Sequence, residues 1–235
     1  MREHTVASFD EDLEQIDQLI RDMADLSSSM VGDSIRALLH TDTAAAQRII
    51  SEDTVMDAKQ RELDDRAITL IAKRQPMAQD LRAVLGAIRM AGDLERIGDL
   101  AKNVAKRVGA IGEGATPRGL SHGIDDMATL VLAQISGVIA AYTGRKPDEL
   151  DRLRAEDEKI DLKYTSVFRE LLTYMMEDPR NITTCTHLLF CAKNLERIGD
   201  HVTNIAENAY YVLTGSQLPA NRPKLDETAT TVLAE

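Results

Sequence analysis

The hexapeptide Leu94-Glu95-Arg96-Ile97-Gly98-Asp99 returns letter for letter as Leu195-Glu196-Arg197-Ile198-Gly199-Asp200, an offset of 101 positions (195 − 94) in a chain of 235. Identity over six residues at nearly half the chain length marks an internal duplication, so the fold must accommodate two similar units. Within each copy the acids stand four apart. On a helix that spacing stacks two carboxylates on one face, where like charges repel by a few tenths of a kcal/mol, about the size of one helix-surface pair.

The rest of the chain reads as helix. Phe9, Leu13, Ile16, Ile20, Met23 and Met30 follow three-and-four spacing, predicting an amphipathic helix over about 8–39. A break at His40-Thr41-Asp42, with Asp42 or Thr43 as cap, leads to a second helix from Ala44 to about Arg74. A third runs from about Met77 to Val108 and ends before Gly109, Gly112 and Gly114. The second unit repeats the plan, with helices over about 120–143, 147–176 and 181–213. All six prolines, at 76, 117, 147, 179, 219 and 223, fall where a helical pattern starts or stops. No period-two alternation argues for strands. The expected fold is all-α: six long helices, packed antiparallel as two tandem three-helix bundles over 1–110 and 120–213, with a linker at 111–119 and a tail at 214–235.

Bulk composition narrows the function. A net charge of −11, 3% aromatic residues and no tryptophan argue against a nucleic-acid binder, which needs a basic footprint and rings to stack on. Met1-Arg2-Glu3-His4 does not begin an apolar leader, and no run of about 18 uninterrupted apolar residues is present. The expectation is a cytoplasmic protein, peripheral to a membrane at most. Cys185 and Cys191, six apart on a helix, point about 240° apart and read as small buried apolar residues of a reducing compartment.

The acids carry the chemistry. Back from Asp99 the helical meridian passes Glu95, Ala91, Ile88 and Val84; back from Asp200 it passes Glu196, Ala192, Leu189 and Cys185. Carboxylates that continue an apolar row face a neighbouring helix and require a cation or a donor. The preceding helix of each unit offers a second pair, Asp53 and Asp57 in the first and Asp157 and Asp161 in the second. Glu156, Asp157 and Glu158 are consecutive, so which of them begins the second-unit motif stays open. Antiparallel packing would gather four carboxylates per unit.

Such an all-oxygen set suits hard cations, Mg²⁺, Mn²⁺, Ca²⁺ or oxidised iron, better than a structural Zn²⁺, with the identity among Mg, Mn, Fe and Zn left open. Asn103 and Asn204 could add amide oxygens. His201 points about 100° from Asp200 and reads as an ordinary surface or core residue. Gly98 and Gly199 read first as points of close helix approach. Two other readings compete with a metal-binding adaptor: a di-iron carboxylate enzyme, disfavoured because no histidine here has a glutamate three residues before it, and a metal-free structural bundle.

Two copies of Leu-Glu-Arg-Ile-Gly-Asp, each preceded by an Asp-x-x-x-Asp, with Arg74-Gln75-Pro76 and Glu177-Asp178-Pro179-Arg180 at the turns, resemble the PhoU family of phosphate-transport regulators. The resemblance spans about residues 8–213. It implies multinuclear metal clusters on Asp53, Asp57, Glu95 and Asp99, and on Asp157, Asp161, Glu196 and Asp200. It also implies a regulator that is not an enzyme and that restrains phosphate uptake and the starvation response when phosphate is plentiful. The implied partners are the ATPase of a Pst-type phosphate importer and a membrane sensor histidine kinase. A homodimer is among the assemblies left open.

Overall fold

The computed structural model describes residues 2–111 and 118–218, with side chains over 9–111 and 122–218. Its elements are α1 (Arg2–His40), α2 (Thr43–Arg74), α3 (Gln79–Ile111), α4 (Arg118–Thr143), α5 (Pro147–Ala155), α6 (Asp157–Glu177) and α7 (Ile182–Thr214), with a 3₁₀ turn at Pro179–Asn181. There is no strand among the described residues. Helices α1 to α3 form one bundle, and α4, the α5–α6 rod and α7 form the other. The all-α, six-rod, twice-repeated architecture expected from the sequence is therefore present.

Local chemistry sets the ends. The Asp42 carboxylate accepts a hydrogen bond from the Ala45 N–H at 2.9 Å and caps α2. At its far end Gln75, with φ of 49°, closes the helix through a bond from its N–H to the Ile71 carbonyl, and Pro76 follows. Pro147 opens α5 and Pro179 opens the 3₁₀ turn. Pro117, Pro219, Pro223, Gly112 and Gly114 lie outside the described residues.

One element departs from expectation. The helix anticipated over 147–176 is stepped at Glu156, where the Glu156 N–H bonds the Leu153 carbonyl at 3.2 Å and the Lys159 N–H bonds the Glu156 carbonyl at 3.0 Å. These are i to i−3 bonds, a single tightened turn. Residues 156–159 are all charged, so no apolar side chain holds a straight path there.

A single hydrophobic core runs through both bundles, with Ile20, Met23, Met56, Leu94 and Ile97 from the first and Ile124, Leu150, Leu195 and Ile198 from the second. The two units join chiefly along α3 and α7. Arg107 stacks on Phe190 at 4.5 Å, Asp93 meets His201 at 2.9 Å, and Arg82 lies over Tyr211 at 5.2 Å. Residue numbers rise on one helix as they fall on the other, so α3 and α7 are antiparallel. Gly86 makes room for Val212, which a Cβ there would strike. A second stitch joins α1 to α4, where the Tyr142 hydroxyl donates to Asp17 Oδ1 at 2.7 Å.

Part of α4, His122–Thr143, is long and apolar enough by length and composition to cross a membrane, and 44% of its apolar window is buried inside the protein. Its buried stripe includes Ile124, Met127, Val131, Ile135 and Val138, the spacing of a core-facing helix. Cys185 and Cys191 are both buried free thiols, as their spacing predicts.

Candidate functional site

The register of α3 against α7 puts both hexapeptides at the same level. With Arg107 beside Phe190 and Arg82 beside Tyr211, the segments 94–99 and 195–200 cross at the middle of the molecule. In each, the residues Leu, Ile and Gly are buried: Leu94, Ile97 and Gly98, and Leu195, Ile198 and Gly199. In each copy the leucine and isoleucine join the core, while the glycine lies against the unit's own helices, Gly98 by Met56 and Met30 and Gly199 by Asp157 and Ile160.

In the first unit, α2 runs antiparallel to α3. Gly98 lies against Met56, whose Cγ would stand 3.3 Å from a Cβ on the glycine, and Asp53 meets Lys102 at 2.7 Å. This register brings Asp57 level with Glu95 and Asp53 level with Asp99. The Lys102 ammonium bridges the helices, donating to Asp53 Oδ2 and, at 2.6 Å, to Asp99 Oδ1. Arg96 is mostly exposed and lies 3.3 Å from Asp99 and 3.7 Å from Glu95.

Burial, followed by the charge of Asp99, raises the Glu95 carboxyl above its ordinary value; Asp57 and Asp53 push the same way and Arg96 opposes them. Burial lowers the Lys102 ammonium, but its hydrogen bonds to Asp53 and Asp99 and their charges outweigh that, and its pKa is raised. All four acids predicted for this unit are therefore electrostatically joined, with a protein cation between two of them.

In the second unit, Lys193 lies over the Tyr164 ring at 4.9 Å, and a Cβ on Gly199 would stand 2.5 Å from Asp157 Oδ1 and 3.1 Å from Ile160 Cδ1. The antiparallel register of α6 and α7 that follows brings Asp161 level with Glu196 and Asp157 level with Asp200. Asp157, Asp161 and Glu196 are buried, at 1%, 4% and 6% exposure, and Asp200 is half-buried. Of residues 156–158, Asp157 is buried, Glu156 stands at the step 3.8 Å from Lys159, and Glu158 is exposed. Lys193 Nζ meets Glu196 at 2.9 Å from the rim.

As the side chains stand, no three acidic, histidine or cysteine groups converge on a single point among the described residues. The donor chemistry nevertheless suits a hard cation. All eight predicted donors are carboxylates on facing helices, and in the first unit a cation, the Lys102 ammonium, already lies between two of them. Asn103 and Asn204 are exposed, and Asn204 donates to Asp93 at 3.3 Å rather than turning to the acids. His201 also goes to Asp93. Together with Gln60, Arg89 and Tyr211 they line a cleft of about 890 Å³ between the units, which also touches Glu95 and Arg96.

Lys102, three residues after Asp99, is the functional side chain that the acid spacing alone does not point to. At the corresponding place in the second copy, 101 positions on, stands Thr203, 1% exposed, with its Oγ1 buried and without a hydrogen-bond partner.

Comparison with known proteins follows the duplication. The model of the PhoU domain matches twice, over residues 20–108 and 124–209. The chain is 55% identical to a phosphate-specific transport system accessory protein PhoU homolog of Rhizobium meliloti, over 97% of this chain and 96% of the relative. It is 45% identical to the protein of the same name from Caulobacter vibrioides, over 96% and 98%. Among solved structures, the crystal structure of PhoU from Pseudomonas aeruginosa superposes with a TM-score of 0.84 at 33% identity, covering 88% of this chain and 100% of that one. The phosphate transport system regulatory protein PhoU of Streptococcus pneumoniae gives 0.83 at 26% identity, over 90% and 99%.

Proposed function

This chain belongs to the PhoU family, and from that premise we propose that it is a negative regulator of phosphate uptake and of phosphate-starvation signalling. Its relatives are accessory proteins of the phosphate-specific transport system. In the proposed role the protein works at the cytoplasmic face of the membrane as an adaptor, not an enzyme, between the ATPase of a phosphate importer and a sensor histidine kinase. It carries metal ions on Asp53, Asp57, Glu95 and Asp99, and on Asp157, Asp161, Glu196 and Asp200.

The observation that supports the metal reading best is the doubled arrangement of facing acids, partly or wholly buried, in both units. Like charges held together away from water demand a counter-charge, and on facing helices a multivalent ion supplies it most directly. A bound ion would tie α2 to α3 and α6 to α7. Because the two hexapeptides cross at the joint between the units, those ties would also fix how the bundles are set against each other.

Metal analysis of untagged protein, wild type against a Glu95→Ala, Asp99→Ala, Glu196→Ala, Asp200→Ala variant that remains helical, tests the site. Metal present in the first and lost in the second is the expected result; equal content removes the metal reading. Pull-down from cells grown in high and low phosphate tests the partners. Recovery of the importer ATPase or a histidine kinase in a phosphate-dependent ratio is expected. Recovery of neither in either condition overturns the adaptor role.

A further inference from the structure

Gly92 stands in the interior of α3, where a glycine is less stable than alanine. Close packing accounts for Gly86 and Gly98 on the same helix, but among the described residues a Cβ on Gly92 would find only Gln60 Nε2 nearby, at 3.9 Å. Packing gives no reason for the missing side chain. Gly92 instead lines the cleft of about 890 Å³ between the units, a volume in the range of small-molecule sites.

The duplication shows how the matching place is filled in the second unit. The position equivalent to Gly92 is Lys193 (193 − 92 = 101), and the residue equivalent to Gln60 is Tyr164 (164 − 60 = 104), the shift that also relates Asp53 to Asp157. Lys193 lies over the Tyr164 ring at 4.9 Å, and its Nζ stands 2.9 Å from Glu196, which repeats Glu95. One turn away on α7, Phe190 receives Arg107 at 4.5 Å. The counterparts of Phe190 and Arg107 are Arg89 and Asn208, and Gln60, Arg89, Gly92 and Asn208 all line the cleft.

On one side of the α3–α7 joint the chain therefore supplies an alkyl ammonium to the hexapeptide glutamate from within. On the other side it has a glycine at that position, and Glu95 lines an open cleft. The cation beside Glu95, Arg96, is 3.7 Å away and 62% exposed. Three carboxylates, Asp93, Glu95 and Glu207, line the cleft with two guanidiniums, Arg89 and Arg96, in a chain of net charge −11. That balance draws cations.

We propose that the cleft binds a small aliphatic amine, a diamine or polyamine, whose alkyl chain crosses Gly92 and whose primary ammonium stands beside Glu95 as the Lys193 ammonium stands beside Glu196. Glu207 and the Asn208 amide oxygen offer acceptors for a second ammonium. The bound amine touches α2, α3 and α7 together and closes the side of the joint that lacks the pairing of Arg107 with Phe190. The inference does not draw on the metal reading.

Calorimetric titration of the full chain, stripped with a chelator and held at physiological ionic strength to screen its net charge, tests this with cadaverine and spermidine. The uncharged control is 1,5-pentanediol. Saturable binding of an amine and none of the diol is expected. Glu95→Gln is expected to weaken the amine about tenfold, the scale of one charge-assisted hydrogen bond. Gly92→Lys, with its helix content checked by circular dichroism, is expected to melt higher than the wild type and to bind no added amine, because the chain then fills the place itself. The Glu95→Gln arm decides the matter even if Gly92→Lys does not fold. No amine binding by the wild type overturns the inference, as does equal binding of the diol or undiminished amine binding in either variant. With no metal present, failure here leaves the metal reading standing.

Discussion

The two halves descend from one plan and solve its central difficulty differently. In the first, α2 is unbroken, the glycine of the hexapeptide receives Met56, and the acids remain partly exposed around a lysine. In the second, the matching rod is stepped at Glu156, the glycine receives Ile160 and the carboxylate of Asp157, and Asp157 and Asp161 are almost wholly buried. What the halves share is the apolar side of the hexapeptide, which builds the common core. What differs is how deeply the acids sit. Packing thus constrained the duplicated segment uniformly, while electrostatics was settled separately in each half.

The largest effects should ignore that difference. Leu94 and Leu195 are equivalent and both 0% exposed. Leu94→Ala and Leu195→Ala are each expected to cost about 2–5 kcal/mol of unfolding free energy. Because one core runs through both bundles, the two costs should agree within about 2 kcal/mol, the spread seen for buried Leu→Ala substitutions within one protein. Denaturant unfolding measures this, and one substitution costing far more than the other would break the equivalence of the copies in the core.

Next in size is the glycine pair, where the halves should part. A Cβ on Gly199 would meet Asp157 Oδ1 at 2.5 Å and Ile160 at 3.1 Å, both held in a packed interface. Gly199→Ala is expected to destabilise by about 1–3 kcal/mol, the usual cost of overpacking. Gly98 faces the flexible Met56 at 3.3 Å and Met30 Sδ at 3.6 Å, which can give way. Gly98→Ala should be close to neutral, since alanine regains about 0.5–1 kcal/mol of helix stability. Thermal unfolding of the two variants side by side decides it; equal losses would mean that the closer approach in the second half is not felt.

Much of this was legible in the sequence. The repeat, the capping Asp42, Pro76 before α3 and the apolar meridians through Val84 and Cys185 were sufficient for the helices, the duplication and the acids that face inward. Three features were not legible, each for a physical reason. The step at Glu156 falls on four consecutive charged residues, and helical periodicity is silent where no residue is apolar. The crossing of the two hexapeptides could not be read because α3 buries residues on several sides, among them Ala91, Leu94, Ile97, Leu100 and Ala101, so its pattern does not say which side meets α7. Lys102 reads locally as a surface partner of Asp99, and its second contact with Asp53 comes from 49 residues away.

The smallest effect separates charge from packing within the first half. The Glu95 carboxyl is raised above its ordinary value of 4.5 by burial and then by the charge of Asp99. The folded protein therefore holds this proton more tightly than the unfolded chain does. The stabilising contribution is fully present below the unfolded value and is lost as pH rises through the folded one. Above the folded value Glu95 carries its charge beside Asp53, Asp57 and Asp99, so in metal-free protein Glu95→Gln should raise the melting temperature slightly there. Below pH 4.5 the wild-type group is already protonated and the gain should vanish. The Lys102→Gln background should enlarge the gain above the folded value, because the acids then lack the cation between Asp53 and Asp99. A gain that persisted unchanged into acid would assign the effect to packing, and the contrast between the halves would lose its electrostatic basis.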